Sequence, residues 1–471
     1  MAPCFQGSCT VSSKPQSFNK LAILPELLTT LSELGYERMT PVQAETLPSL
    51  LAGRDVIAQA MTGSGKTAAF GISLLNRIVP RDFSTQALVL CPTRELADQV
   101  TKALRQYARG LGNIKMLTLC GGMAMGPQLN SLEFGAQVIV GTPGRVLKHL
   151  KQGSLSLTGL KTLVLDEADR MLDMGFHASM VEVLEFVPAK RQTLLFSATY
   201  SEEVRALSGR FQSNPVEVTV VSEATVSPIE QIFYEVDPKA RVAAVAALLR
   251  RYQPESAVLF CNTKQRCEEV LTELRAQGFP VSALHGDLEQ RDRDLVLVQF
   301  ANRSRPLLVA TDVAARGLDV KDLAAVINVE MAFDPETHVH RIGRTGRAGQ
   351  KGLALSLCAA SESHRSLAIA EYQDLTPVWQ DLPTVNVLTK IPAPRRVTLQ
   401  INGGRKDKLR PGDILGALTG EGGVPGAQVG KIDIFDLHSY VAVDREVAPA
   451  ALRRLAEAGV KGRNFKARVL V

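Results

Sequence analysis

Two short segments carry most of the chemistry in this sequence. The first is Ala60-Met61-Thr62-Gly63-Ser64-Gly65-Lys66-Thr67, which follows the apolar run Asp55-Val56-Ile57-Ala58 and leads into Ala68-Ala69-Phe70-Gly71-Ile72, a stretch of helical character. Glycines at such a turn let backbone N–H groups point inward on an anion, Lys66 adds a point charge, and the Thr67 hydroxyl is suited to Mg²⁺. The second is Asp166-Glu167-Ala168-Asp169, about a hundred residues later, after the apolar run Thr162-Leu163-Val164-Leu165. Carboxylates placed there emerge at the C-terminal edge of a parallel sheet, where sites of α/β folds form. Asp166 would complete a Mg²⁺ shell, in part through water, and Glu167 would orient or deprotonate an attacking water. A Gly-Ser-Gly run alone is more often a turn, and an Asp-Glu pair alone is more often a solvated loop. Their co-occurrence, each behind a strand-like run, points to nucleoside triphosphate hydrolysis.

The elements that must position these groups are visible in the hydropathy pattern. From about residue 16 to 220, apolar runs such as Gln86-Ala87-Leu88-Val89-Leu90-Cys91 and Ala136-Gln137-Val138-Ile139-Val140 alternate with amphipathic stretches at 94–109 and from Pro143. This alternation predicts a parallel sheet covered by helices. A polar stretch around 221–228 is the expected hinge, and the alternation resumes from 229 to 375. The second block has no Gly-rich turn after its strand Ala257-Val258-Leu259-Phe260, so it repeats the first in architecture but cannot hold a triphosphate alone. Residues 1–15 read as disordered, and the proline-marked segment 376–394 (Pro377, Pro383, Pro392, Pro394) reads as a linker. Beyond it, residues 395–471 show strand, helix, strand, strand, helix, strand, the order of an RNA-recognition-motif fold. The fold class is therefore α/β: two parallel-sheet domains followed by a small α+β domain.

Composition narrows the class further. An apolar share of 45% and a charged share of 22% belong to a water-soluble globular chain. No apolar run approaches the ~20 residues of a membrane helix, and the polar N-terminus has no signal-peptide core. The seven cysteines are odd in number and scattered without metal spacing, so buried thiols at Cys91 and Cys261 and a reducing, cytoplasmic setting are expected. The net charge of +6 lies wholly at the C-terminal end: residues 395–471 hold 14 Lys+Arg and 8 Asp+Glu, leaving 40 of each elsewhere. A basic excess in a small segment suggests a nucleic-acid partner, with solubility as the bland alternative.

The sequence Asp166-Glu167-Ala168-Asp169 spells the name of the DEAD-box RNA helicases, and the chain resembles that family in motif order. Upstream lie Phe18 and Gly35-Tyr36-Glu37-Arg38-Met39-Thr40-Pro41-Val42-Gln43, similar to an adenine-reading Q motif. Then come Pro92-Thr93-Arg94-Glu95-Leu96, Gly121-Gly122, Thr142-Pro143-Gly144-Arg145 and Ser197-Ala198-Thr199. The second block holds Leu259-Phe260-Cys261-Asn262-Thr263, Gln290 with Arg293, the run Ala310 to Asp319, and His340-Arg341-Ile342-Gly343-Arg344-Thr345-Gly346-Arg347. The family writes its phosphate loop with Ala60 in place of the more general Gly.

This resemblance implies tandem RecA-like domains, ATP with Mg²⁺ as the cofactors, and RNA as the partner. It implies adenine recognition by the Gln43 amide, which both donates and accepts, with Phe18 stacking on the base and Asp319 accepting from the ribose. Arg344 and Arg347 would act as arginine fingers on the γ-phosphate. Ser197, Thr199, Asp169 and His340 would couple nucleotide to RNA. Phosphate and 2′-OH contacts, suited to an enzyme acting on many sequences, would come from Arg94, Gly122, Thr142 and Arg145 in the first domain and Thr263, Arg293 and Thr311 in the second.

The last segment resembles the C-terminal domain of the bacterial DbpA group of this family. Gly403-Gly404-Arg405-Lys406-Asp407-Lys408, Arg410 to Leu418 and Gly430-Lys431-Ile432-Asp433-Ile434 carry the likeness. The group acts in assembly of the large ribosomal subunit and docks on an rRNA hairpin, which implies pre-ribosomal particles as partners, no membrane, and no required oligomer. The usual stacking aromatics are mostly missing, with Leu399 and Val441 near where rings are expected, so Arg405, Lys406, Lys408 and Lys431 are the candidate RNA contacts. Three rivals stand beside this reading: a DNA translocase or general P-loop ATPase, an RNA clamp without hydrolysis, and a C-terminal dimerisation module whose charge is incidental.

Overall fold

The computed structural model describes residues 17–60, 63–220, 229–315, 323–346, 351–384 and 391–470. The described residues up to Val220 form one compact unit and those from Ile229 onward form another. The expected disordered N-terminus at 1–15 and the expected hinge at 221–228 lie outside the described residues, as do Met61, Thr62, Asp319 and Arg347.

The first unit is built on a seven-stranded sheet: β1 (Val56–Gln59), β2 (Ala87–Leu90), β3 (Met116–Leu119), β4 (Val138–Gly141), β5 (Thr162–Asp166), β6 (Gln192–Ser197) and β7 (Val216–Thr219). Its order is β3-β4-β2-β5-β6-β1-β7, and every pair is parallel. The strands read as unbroken apolar runs because both faces are covered. Val56, Ala58, Val89, Val164 and Phe196 pack on one side with the helices Lys66–Leu75 and Arg94–Tyr107. Ile57, Leu88, Leu163, Leu165 and Leu195 pack on the other with Pro143–Lys151 and Glu202–Phe211.

The second unit opens with β8 (Ile229–Glu235), β9 (Ala257–Cys261), β10 (Val281–Leu284), β11 (Leu307–Thr311), β12 (Ala325–Asn328), β13 (Gly352–Cys358) and β14 (Val378–Gln380). Their order, β10-β11-β9-β12-β13-β8-β14, repeats the first sheet strand for strand. The two RecA-like sheets implied by the sequence are both present.

One boundary needs correction. Residues 378–380, assigned to the linker, pair in parallel with β8 and form the counterpart of β7. Proline on either side concealed this strand, but proline is tolerated beside a short edge strand. Trp379 also packs its ring 5.6 Å from that of Phe233.

The C-terminal segment folds as β15 (Arg396–Ile401), a helix Pro411–Thr419, β16 (Val429–Ile434), β17 (Ser439–Asp444), a helix Ala448–Ala458 and β18 (Ala467–Leu470). The antiparallel sheet has the order β16-β17-β15-β18. Val397, Leu399, Ile401, Val441 and Val443 meet Ile414, Leu418, Ala451 and Leu455 in a separate core. The expected strand–helix–strand–strand–helix–strand order is observed. Leu399 and Val441, however, do not stand on the face where rings would stack; both are fully buried in this core and paired across β15 and β17.

Candidate active site

Strand order brings the phosphate loop and the acidic motif together. β5, β6 and β1 are neighbours, so Asp166, Ser197 and the loop after Gln59 leave the sheet at one edge. The Ala60 N–H donates to the Ser197 carbonyl at 3.0 Å, fastening the loop's start to the end of β6. The helix Lys66–Leu75 starts at Gly65, whose φ of 99° favours glycine. A Cβ there would stand 2.5 Å from Gln43 Nε2 and 2.8 Å from Thr40 Oγ1, so space and conformation both require glycine. Lys66 is buried, with Nζ donating to the Ala60 carbonyl at 2.9 Å.

The acidic motif divides into three roles. Burial is the largest influence on Asp166 and pushes its carboxyl up to about 7, with Lys66 pulling it down and Glu167 pushing it further up. Glu167 sits in the left-handed region at φ 54°, ψ 55°, a costly conformation for a residue with a side chain, and one that clusters at functional sites. Its Oε2 accepts from Arg170 Nη1 at 2.9 Å, both side chains being buried. Arg170 escaped the sequence reading, although its place three residues after Glu167 on a helix is ion-pair spacing. Asp169 Oδ2 accepts from the N–H groups of Ala198 and Thr199, each at 3.0 Å, and from the Thr199 hydroxyl. Ser197 Oγ accepts from the Asp169 N–H at 3.3 Å. Burial would raise the Asp169 carboxyl, but the Lys66 charge, the Thr199 N–H and Arg170 hold it below its ordinary value. Asp169, Ser197 and Thr199 thus form one linked cluster.

The donor set fits a magnesium–triphosphate ligand. Asp166 Oδ1, Ser64 Oγ and Thr40 Oγ1 are buried polar atoms with no partner, the pattern left where a ligand supplies the missing contacts. Hard oxygen donors from Asp166 and Thr67 suit Mg²⁺.

The Q-motif residues lie differently from expectation. Gln43 is 1% exposed, with Oε1 accepting from the Thr40 N–H at 2.9 Å and Nε2 donating to the Gly65 carbonyl at 3.1 Å. Its amide therefore caps the helix Pro41–Leu51 and braces the phosphate loop, and adenine recognition would exchange one of these bonds. Phe18 is buried and meets the Tyr36 ring edge-on at 6.4 Å, so its ring belongs to the core.

The RNA-contact candidates of the first unit gather at the neighbouring strand ends. Arg94 opens the helix after β2, and its guanidinium lies so close to Gly122 (φ 72°) that a Cβ there would clash with it. Thr142 precedes the helix Pro143–Lys151 without a capping bond from its side chain. Arg145 donates to Gln128 Oε1 at 2.8 Å and to the Met123 carbonyl at 2.9 Å. Gln128, also unnoticed in sequence, joins Arg145 to His149.

In the second unit Thr263 caps the helix Lys264–Ala276, Arg293 lies in the helix Gln290–Ala301 and donates to the His285 carbonyl, and Thr311 ends β11. Their strands β9, β10 and β11 are adjacent, so these three groups share an edge. Arg344 stands in the turn after the helix Pro335–Ile342, which contains His340. The hub of this region is Arg341: Nε and Nη2 grip both oxygens of Asp312 at 2.7 Å, and the rest of the guanidinium donates to Glu330 O, Asn262 Oδ1 and Asn328 Oδ1. Arg341 and Asp312 both stand in quoted motifs, yet their pairing had no signal in spacing.

The family models agree with this geometry. A DEAD/DEAH box helicase model matches residues 40–207, a helicase conserved C-terminal domain matches 240–349, and a DbpA RNA binding domain matches 398–469. The chain is 53% identical to the ATP-dependent RNA helicase DbpA of Escherichia coli (strain K12) over 96% of its length and 99% of the relative's. The chain belongs to the DEAD-box ATP-dependent RNA helicases. It is also 42% identical to the DEAD-box ATP-dependent RNA helicase CshA of Bacillus cereus (strain ATCC 10987 / NRS 248), over 79% of this chain and 70% of that one. The solved structure of S. cerevisiae Dbp5 bound to RNA and ADP BeF3 is similar with a TM-score of 0.71 at 33% identity, covering 78% of this chain and 96% of that one. No helix among the described residues is long and apolar enough to cross a membrane.

Proposed function

We propose that this ATP-dependent RNA helicase uses ATP binding and hydrolysis to open short RNA duplexes during large-subunit ribosome assembly, addressed by its C-terminal domain to a large-subunit rRNA hairpin. The observation that carries the reading is the match of residues 398–469 to the DbpA RNA binding domain, joined to a helicase similar to DbpA along nearly its whole length.

In this reading the Gly63–Thr67 turn cradles the triphosphate and Lys66 leaves the Ala60 carbonyl to meet its charge. Mg²⁺, held by Thr67 and, partly through water, by Asp166, would supply neutralisation of phosphate charge. Arg170 fixes the Glu167 carboxylate for proton abstraction from water, and Asp169 carries any shift of Glu167 to the Ser197–Thr199 segment. Gln43 gives ATP selectivity with Asp319, Phe18 backing the site from the core, and Arg344 and Arg347 complete the charge on the γ-phosphate. RNA is gripped by Arg94, Gly122, Thr142, Arg145, Thr263, Arg293 and Thr311 along its backbone. Lys406 and Lys408 on the tail, with Arg405 and Lys431, contribute affinity for the hairpin. A cytoplasmic setting follows from this role.

The test is RNA-stimulated ATP turnover of the full chain with a large-subunit rRNA hairpin fragment and with unrelated RNA of equal length. The hairpin is expected to stimulate at lower concentration, and Lys406→Glu with Lys408→Glu to remove that preference while leaving turnover with saturating unrelated RNA unchanged. Equal stimulation by both RNAs overturns the rRNA address but leaves the helicase chemistry standing. Stimulation by DNA equal to RNA favours the translocase rival.

A further inference from the structure

The helix Met125–Leu132 buries one side chain fully, and that side chain is polar: Gln128. The residue a short helix buries is ordinarily apolar, because a buried amide costs free energy unless its polar atoms find partners. Here they do. Gln128 Nε2 donates to the Cys120 carbonyl at 3.2 Å, and Oε1 accepts from Arg145 Nη1 at 2.8 Å and from His149 Nε2 at 2.9 Å. Arg145 and His149 stand one turn apart on the helix Pro143–Lys151, so both reach the same oxygen. The orientation of the amide is fixed by its surroundings, because a guanidinium can only donate and a carbonyl can only accept.

These bonds close a ring around the Gly121-Gly122 turn. Arg145 Nη2 donates to the Met123 carbonyl at 2.9 Å. Cys120 and Met123, on either side of the two glycines, are therefore both held: one by Gln128, the other by the guanidinium that Gln128 holds. Inside the ring Gly122 takes a φ of 72° against the Arg94 guanidinium. His149 backs the arrangement from the interior. It is fully buried, and its Nε2 must carry the proton that Gln128 accepts. Burial, then the charges of Arg145 and Lys148, lowers its affinity for a second proton. The neutral ring therefore accepts at Nδ1, where the Ser154 hydroxyl lies at 2.9 Å, with the His149 carbonyl as that hydroxyl's other acceptor at 3.1 Å. A buried polar set satisfied in this way is held in direction as well as in place, which apolar packing does not achieve.

We infer that Gln128, backed by His149, is a positioning residue for RNA, setting the Gly121-Gly122 turn and the Arg145 guanidinium in one register before the strand arrives. Gln128 is buried and acts through these neighbours. A turn and a long side chain that ordered only on contact would charge their ordering to binding, whereas a ring closed in advance removes that cost. The inference rests on the proposal that Gly122 and Arg145 meet RNA, and adds the residue that holds them.

The test follows RNA-stimulated ATP turnover of the full chain across RNA concentration for Gln128→Met, Arg145→Ala and the double variant. Gln128→Met keeps the volume of the side chain and removes all three bonds. It should raise the RNA concentration for half-maximal stimulation about five- to ten-fold, while turnover at saturating RNA falls by less than about two-fold. In the Arg145→Ala background the same change should add no more than about two-fold, because the ring is already open. Gln128→Glu keeps the acceptor for Arg145 and His149 but loses the donor to Cys120, so its requirement should fall between those of the wild type and Gln128→Met. Should Gln128→Met not fold, Gln128→Glu carries the same cycle with Arg145→Ala. A wild-type RNA requirement in the Gln128 variants, a loss confined to turnover at saturating RNA, or a Gln128 loss that adds in full to that of Arg145→Ala overturns the inference and leaves the RNA contacts standing. A wild-type requirement in Arg145→Ala overturns instead the reading on which the inference rests.

Discussion

At the scale of single residues, the acidic motif assigns distinct tasks to neighbouring carboxylates through their surroundings. Asp166 is buried with an unpartnered oxygen, Glu167 is strained and clamped by Arg170, and Asp169 is saturated by N–H donors from Ala198 and Thr199. Only Glu167 combines an unusual backbone with a single fixed partner, the arrangement suited to holding a general base. Glu167→Gln keeps an oxygen to accept from Arg170 but cannot take a proton. Single-turnover hydrolysis should fall by about 10²-fold or more while ATP still binds, leaving a long-lived RNA complex. Lys66→Ala should instead weaken ATP binding itself. Rapid-quench kinetics beside a nucleotide-binding titration separate the two, and normal hydrolysis by Glu167→Gln removes that residue from the role of base. The residues proposed to touch phosphate stand in contiguous motifs, because the chemistry demands them at close spacing. Arg170 offered only the common i,i+3 spacing to Glu167, and Gln128 offered none, because its partners Arg145 and His149 are brought to it by the fold.

At the scale of elements, burial decides which polar groups stay neutral. His338 lies inside the helix Pro335–Ile342, stacked on Phe233 of β8, with Nε2 3.2 Å from Gln231 Oε1. Burial, helped by the Arg341 charge, lowers it to about 4. The unfolded chain therefore binds a proton first, so the stability contributed by neutral His338 is full above about pH 6.5, is lost as pH falls, and levels off below about pH 4. The loss at pH 5 should be about 2 kcal/mol. Asp166, pushed up to about 7, acts in the opposite sense, because its protonated native form gains stability as pH falls through neutrality. The His338 term is therefore read as a difference: denaturant midpoints at pH 7 and pH 5 for the wild-type chain against His338→Phe. The wild type should lose more on acidification than the variant, and equal losses would show that His338 is not the group responsible. Strand and helix positions were readable from alternating apolar runs, including the tail's six elements, whereas the order of strands within each sheet was not. The face of β15 was also readable, since Val397, Leu399 and Ile401 alternate with Thr398 and Gln400, and reading ring positions by analogy misplaced it. β14 was hidden because three residues between prolines carry too little pattern to outweigh a linker composition.

At the scale of the whole molecule, charge and architecture divide the labour. The two RecA-like domains and their connections are neutral in sum, while the last segment carries the +6 excess. Much of that excess is already engaged: Arg405 lies 3.6 Å from Asp436, Lys431 is 3.1 Å from Asp433, Lys461 meets Asp413 and Arg463 meets Asp407. Lys406 and Lys408 are exposed on the same loop, and no ion pair joins either to a carboxylate among the described residues. A charge already neutralised by a neighbouring acid releases fewer counterions when it meets a phosphate than one that is not. Affinity of the full chain for the rRNA hairpin, measured by titration across a range of salt, should therefore give a log–log slope that flattens by about 0.7–0.9 for each of Lys406→Ala and Lys408→Ala. Arg405→Ala and Lys431→Ala should flatten it less, because Asp436 and Asp433 share their charge. A larger change for Arg405 or Lys431 than for Lys406 or Lys408 would move the RNA track from the Gly404–Leu409 loop onto the edge formed by β16, and the assignment of the tail's contacts would change with it.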